Sequence, residues 1–104
     1  MPIDSQYDPD RSTFTIRVIG RFDYGEHQYF SKAMMLITPG MNKIVIDLKE
    51  TTHMDSSALG MLLVLLETVK KNQPLIKIIN AKDQVWQTLE NANFYRLFTI
   101  ESFE

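Results

Sequence analysis

Lys43-Ile44-Val45-Ile46-Asp47-Leu48, followed after a short loop by Asp55-Ser56-Ser57-Ala58-Leu59-Gly60-Met61-Leu62-Leu63-Val64-Leu65-Leu66 and on to Lys71, is the stretch from which the fold is read. The first segment is an unbroken, largely β-branched run, the pattern of a central strand covered on both faces in a partly parallel sheet. In the second, Leu59, Leu62, Leu63, Leu66 and Val69 recur at helical spacing and line one face. Asp55 supplies an N-cap for this helix over 56–71, Lys70-Lys71-Asn72 brings cations and a turn former to its end, and Pro74 stops it.

The same reading extends outward in both directions. Phe14 to Val18 alternates apolar and polar residues up to Gly20 and predicts an early, outer strand. Phe30, Ala33, Met34 and Ile37 predict a first helix from about Tyr24 to Ile37, closed by Thr38-Pro39-Gly40. Leu75 to Ile79 predicts another strand, Ala81 to about Asn91 a third helix, and Leu97 to Ile100 a last strand. Strands that alternate with helices imply right-handed crossovers, so the expected class is α/β, with helices packed on a mixed, mostly parallel β-sheet. The opening strands are expected to pair as an antiparallel hairpin near Asp10-Arg11-Ser12, and there is no internal repeat.

Composition narrows the function. With 104 residues and 44% hydrophobic residues, one domain over 1–104 is expected. The net charge of −2 comes with scattered lysines and arginines, which gives no stripe for nucleic acid or an anionic membrane. The absence of cysteine excludes disulfides and thiolate chemistry and fits a reducing compartment. No apolar stretch approaches bilayer length and Met1-Pro2-Ile3-Asp4 does not begin an export signal, so a soluble cytoplasmic protein is expected.

The side of the 56–71 helix opposite the leucine stripe carries Ser57, Met61, Val64 and Thr68, with Gly60 at its margin. An apolar outward face of this kind, with a flexible methionine and a glycine that permits close approach, is either a protein-contact surface or buried against another part of the chain. Ser56 and Ser57 stand at the helix start, where free amide donors and the dipole tolerate an added anion. A phosphate there would add roughly −1.5 to −2 charge beside Asp55 and repel an acidic or apolar partner. Alternatively, Asp55-Ser56-Ser57 serves only as a cap.

Ile46-Asp47-Leu48 with Met54-Asp55-Ser56-Ser57-Ala58-Leu59-Gly60-Met61-Leu62 resembles the signature of STAS domains, the anti-sigma-factor antagonists, in which a strand leads through a loop into a helix bearing Asp-Ser-Ser/Thr-Gly-Leu-Gly. Val18-Ile19-Gly20-Arg21-Phe22-Asp23 looks like the family's Gly-Glu/Arg-Leu-Asp turn, and Asn93-Phe94-Tyr95-Arg96-Leu97-Phe98 like its closing Gly-Leu-x-x-x-Phe segment. Ala58 and Asn93 stand where the family has glycine. The resemblance implies a single-domain partner switch: a histidine-kinase-like serine kinase, itself an anti-sigma factor or related regulator, phosphorylates the first serine after the aspartate, and a metal-dependent PP2C-type phosphatase reverses it. By position that serine is Ser56, with Ser57 the alternative. The resemblance further implies that Asp23 and Asp55 frame the site and that Ser57, Ala58, Gly60, Met61 and Val64 meet the partner. The second reading within the family is a constitutive subunit docking on the ATPase of a transport complex.

Enzymatic readings lack support in the sequence. His53, Asp55 and Ser56 are too close along the chain to converge as a triad does, and no Gly-x-Ser-x-Gly elbow is present. His27 and His53 stand in no metal-ligand spacing, no phosphate-binding loop occurs, and no cofactor is implied. Trp86, Phe94, Tyr95 and Phe98 are expected in the core rather than on a stacking platform.

Overall fold

A computed structural model describes residues 2–103. Two antiparallel strands, β1 (Ile3–Asp8) and β2 (Thr13–Val18), open the chain as a hairpin, and β3 (Gly20–Phe22) follows at once. A 3-10 turn at Tyr24–Glu26 leads into α1 (His27–Met34), then β4 (Lys43–Asp47), β5 (Thr51–Met54) and α2 (Ser56–Val69). After β6 (Leu75–Ala81) come α3 (Asp83–Asn91), a 3-10 turn at Phe94–Arg96, and β7 (Thr99–Ser102). The main sheet has the order β1-β2-β4-β6-β7, parallel except for its first pair, and β3 with β5 forms a separate parallel ribbon. This is the α/β architecture expected, with the hairpin where the turn residues put it.

Several elements differ from the expectation, the first helix among them, whose α-helical part is shortened to His27–Met34 behind a 3-10 turn. The second strand is internal, because β1 pairs along its whole length and takes the sheet edge. The central strand β4 is covered by helices on one face: Ile44, Ile46 and Leu48 join the cluster to which all three helices contribute, while Val45 lies outside it. Val45 is nevertheless buried, because its register neighbours Thr15 and Lys77 flank it on the open face. Helix α3 starts at Asp83 because β6 runs on to Ala81, and the last strand starts at Thr99 because a 3-10 turn consumes Phe94 to Arg96. Of the aromatic set, Phe94 and Phe98 are buried and stacked, Trp86 packs against the core from its rim, and Tyr95 is exposed. Asn93 takes a left-handed conformation (φ 59°), which asparagine adopts more readily than most residues. This explains how it can stand where the segment it resembles has glycine.

Helix α2 sits rotated from the leucine-based wheel. It buries Ala58, Met61, Leu62, Leu65 and Val69, while Leu63 stands 41% exposed. The cover comes from α1, whose Phe30 and Ala33 are buried and whose Phe30 meets Phe22 with ring centroids 5.4 Å apart.

Candidate functional site

The ribbon of β3 and β5 builds the site. Its register pairs Phe22 with Met54, both buried, so the next residues, Asp23 and Asp55, emerge side by side at the head of two helical segments. The Asp55 N–H donates to the Phe22 carbonyl at 3.4 Å and ties the two strand ends together. Each aspartate then caps the segment it precedes. Asp23 Oδ1 accepts the Gly25 N–H at 2.9 Å, and Asp55 Oδ1 accepts the Ala58 N–H at 3.2 Å.

The free edge of β5 is held by a residue that sequence reasoning missed. Gln84, on α3, accepts the Met54 N–H through Oε1 and donates to the Met54 carbonyl through Nε2, both at 2.9 Å. A side-chain amide thus stands in for a neighbouring strand. Thr88 Oγ1 supports the Gln84 amide at 3.0 Å. Asp55 and Ser56 therefore leave a strand whose last residue is fixed on both sides.

Because Asp55 takes the cap, Ser56 is the first helical residue, its side chain exposed, and Ser57 is half-buried behind it. The hydroxyl of Ser56 is therefore not required to cap α2. Asp23 lies below the usual carboxylate range, chiefly through the Gly25 N–H and then the neighbouring Glu26 and Arg21. Glu26 is pushed up by loss of surrounding water and then by the Asp23 carboxyl. At neutral pH this gives an ionised Asp23 beside Ser56's helix, with a Glu26 that protonates more readily than usual.

Beside the serines, α1 and α2 enclose a groove of about 300 Å³ lined by Tyr24, His27, Ser31 and Met34 on one wall and Ser57, Gly60, Met61 and Val64 on the other. Four of the five residues expected to meet a partner thus share one cleft. Val64 is 52% exposed, whereas Met61 is buried. Ala58 is the correction: it is fully buried in the core, so its side chain packs under the helix and presents nothing to a partner. The α1 wall was missed, although Tyr24, His27, Ser31 and Met34 repeat at helical spacing.

Among the described residues, no three His, Cys, Asp or Glu side chains group as metal ligands, and no helix is long and apolar enough to cross a membrane.

Comparison with known proteins agrees with the fold. The STAS domain family model matches residues 6–103. A STAS-domain containing protein of Pseudomonas aeruginosa is 37% identical over 100 residues, covering 96% of this chain and 99% of that one. Among solved structures, a putative anti-sigma factor antagonist of Thermotoga maritima superposes with a TM-score of 0.82 at 17% identity, over 96% of this chain and 86% of its own. The anti-sigma factor antagonist SpoIIAA in its unphosphorylated form gives 0.69 at 18% identity, over 94% and 86%. The STAS domain of a SulP transporter from Vibrio cholerae gives 0.63 at 17% identity, over 88% and 73%. At these identities the structural likenesses speak for the fold, and with the family match over nearly the whole sequence they place this chain in the STAS domain family.

Proposed function

We propose that this protein is an anti-sigma-factor-antagonist-type regulator that changes partners according to the phosphorylation of Ser56, and that it has no catalytic activity of its own. The observation that carries the proposal is the division of labour at the α2 start. Asp55 caps the helix, which leaves the Ser56 hydroxyl exposed and free for chemistry. Next to it lies an apolar groove that an anion would mark for or against a partner.

The unmodified protein docks a histidine-kinase-like serine kinase, or a related regulator, through the groove. That partner transfers the γ-phosphoryl group of ATP to Ser56 Oγ; the hydroxyl proton passes to a base and ADP leaves. A PP2C-type phosphatase then directs water at phosphorus, releases inorganic phosphate and restores the hydroxyl. Added charge of about −1.5 to −2 on the residue next to the groove-lining Ser57 opposes docking by desolvation and by repulsion from acidic partner groups. The fold barely changes, because the first turn of a helix accommodates anions. Cytoplasmic location follows from such partners.

Intact-mass analysis of protein recovered from its native host tests the assignment. The wild type is expected to contain a form heavier by one phosphoryl group, and Ser56→Ala to lack it while keeping the wild-type circular dichroism spectrum. A phosphorylated Ser56→Ala protein would move the site to Ser57 or beyond.

A further inference from the structure

A small cavity of about 160 Å³ lies between the ribbon and α3, lined by Arg21, Phe22, Asp23, His53, Met54, Asp55 and Gln84. It is distinct from the apolar groove, and four ionisable side chains, Arg21, Asp23, His53 and Asp55, stand along its wall. The ribbon register explains its composition. Arg21 pairs with His53, and two residues on, Asp23 neighbours Asp55. Alternation along a strand puts all four side chains on one face, opposite the buried Phe22 and Met54.

Two of the four are already engaged. Asp23 accepts from the Gly25 N–H through one oxygen and from Arg21 through the other, and Asp55 accepts from the Ala58 N–H. The two basic groups keep donors to spare. Arg21 touches Asp23 through Nε alone, at 3.3 Å, with 65% of its side chain exposed. Its two Nη groups make no hydrogen bond among the described residues, nor does the exposed His53 ring. The Nε contact holds the guanidinium at the level of Asp23 and Asp55, one residue from Ser56.

We propose that Arg21 and His53 form the receiving site for the phosphoryl group on Ser56, with the Arg21 Nη groups and the His53 imidazole as donors to its oxygens. The inference rests on the reading that Ser56 is the modified residue. A guanidinium fork matches two phosphate oxygens, and a dianion competes well with one carboxylate for it. Asp23 then keeps its Gly25 donor and loses part of its hold on Arg21. The phosphorylated state is thereby marked twice, by the new charge and by a displaced arginine at the entrance to the 3-10 turn that precedes α1.

The test does not depend on a kinase. Phosphoserine is installed at position 56 during translation, and the phosphate is titrated by phosphorus-31 NMR in the wild type, Arg21→Gln, His53→Gln and the double variant. The titratable groups facing the phosphate are Arg21, Asp23, His53 and Asp55, with Glu26 beside Asp23, and only the two basic ones change. Phosphoserine loses its second proton near pH 6. The midpoint in the wild type is expected about one unit below that of the double variant, and Lys71→Gln, at the far end of α2, is expected to leave it in place. Superposable titrations of wild type and double variant would overturn the proposal. All five proteins are tested with the phosphate present, so failure of the Ser56 switch in cells would not alter this result.

Discussion

Leu62→Ala is expected to destabilise the protein by about 2–5 kcal/mol, because it empties a fully buried volume that the surrounding core cannot refill. Leu63→Ala, one position along, is expected to cost less than about 1 kcal/mol, since that side chain is 41% exposed and leaves no enclosed cavity. Urea unfolding followed by circular dichroism compares the two. The leucine stripe by itself puts both residues in the core, so the contrast tests the rotation of α2 directly. Equal losses would return Leu63 to the interior and close the groove as drawn.

The second large effect concerns the groove. Val64→Asp places a carboxylate on its α2 wall without disturbing a buried residue, and is expected to weaken capture of the docked kinase or regulator about thirtyfold, the scale of an interface hot spot. Gly60→Ala supplies the complementary case. A Cβ at Gly60 meets no atom within 4 Å, so the substitution is expected to raise stability by about 0.5–1 kcal/mol through helix propensity. A Val64→Asp protein that folds yet binds as the wild type does would separate the groove from partner docking.

The parts of this fold that could be read in the sequence are those with their own periodicity. The β4 run, the α2 stripe and the Pro74 stop locate a strand, a helix and its end without knowledge of neighbours. The β3–β5 ribbon could not be read that way. Gly20-Arg21-Phe22 and Thr51-Thr52-His53-Met54 are too short for a pattern, and they become strands because they pair with each other and because Gln84 completes one edge. The phase of α2 was lost for a related reason. Leucines at 62 and 63 weigh equally on a wheel, and only packing against α1 and the sheet decides which is buried.

The site divides in the same way. Asp55 as cap and Ser56 at the helix start are local features and were visible in the sequence. Ser57, Gly60, Met61 and Val64 were legible as one face, but the opposite wall of the groove belongs to a helix far away in the chain. Its place in a motif puts Ala58 among the residues expected to meet a partner, whereas the helix phase sends it inward. The pairing of Arg21 with His53 depends wholly on strand register, which neither segment encodes alone.

The most direct test of the switch is quantitative affinity capture from native-host lysate with two forms of the protein, one unmodified and one carrying phosphoserine at position 56, with recovered proteins identified by mass spectrometry. A histidine-kinase-like serine kinase or related regulator is expected to be retained by the unmodified form and lost from the phosphorylated one. Equal recovery of the same partner by both forms, a transport ATPase included, would contradict it and favour a constitutive docking subunit.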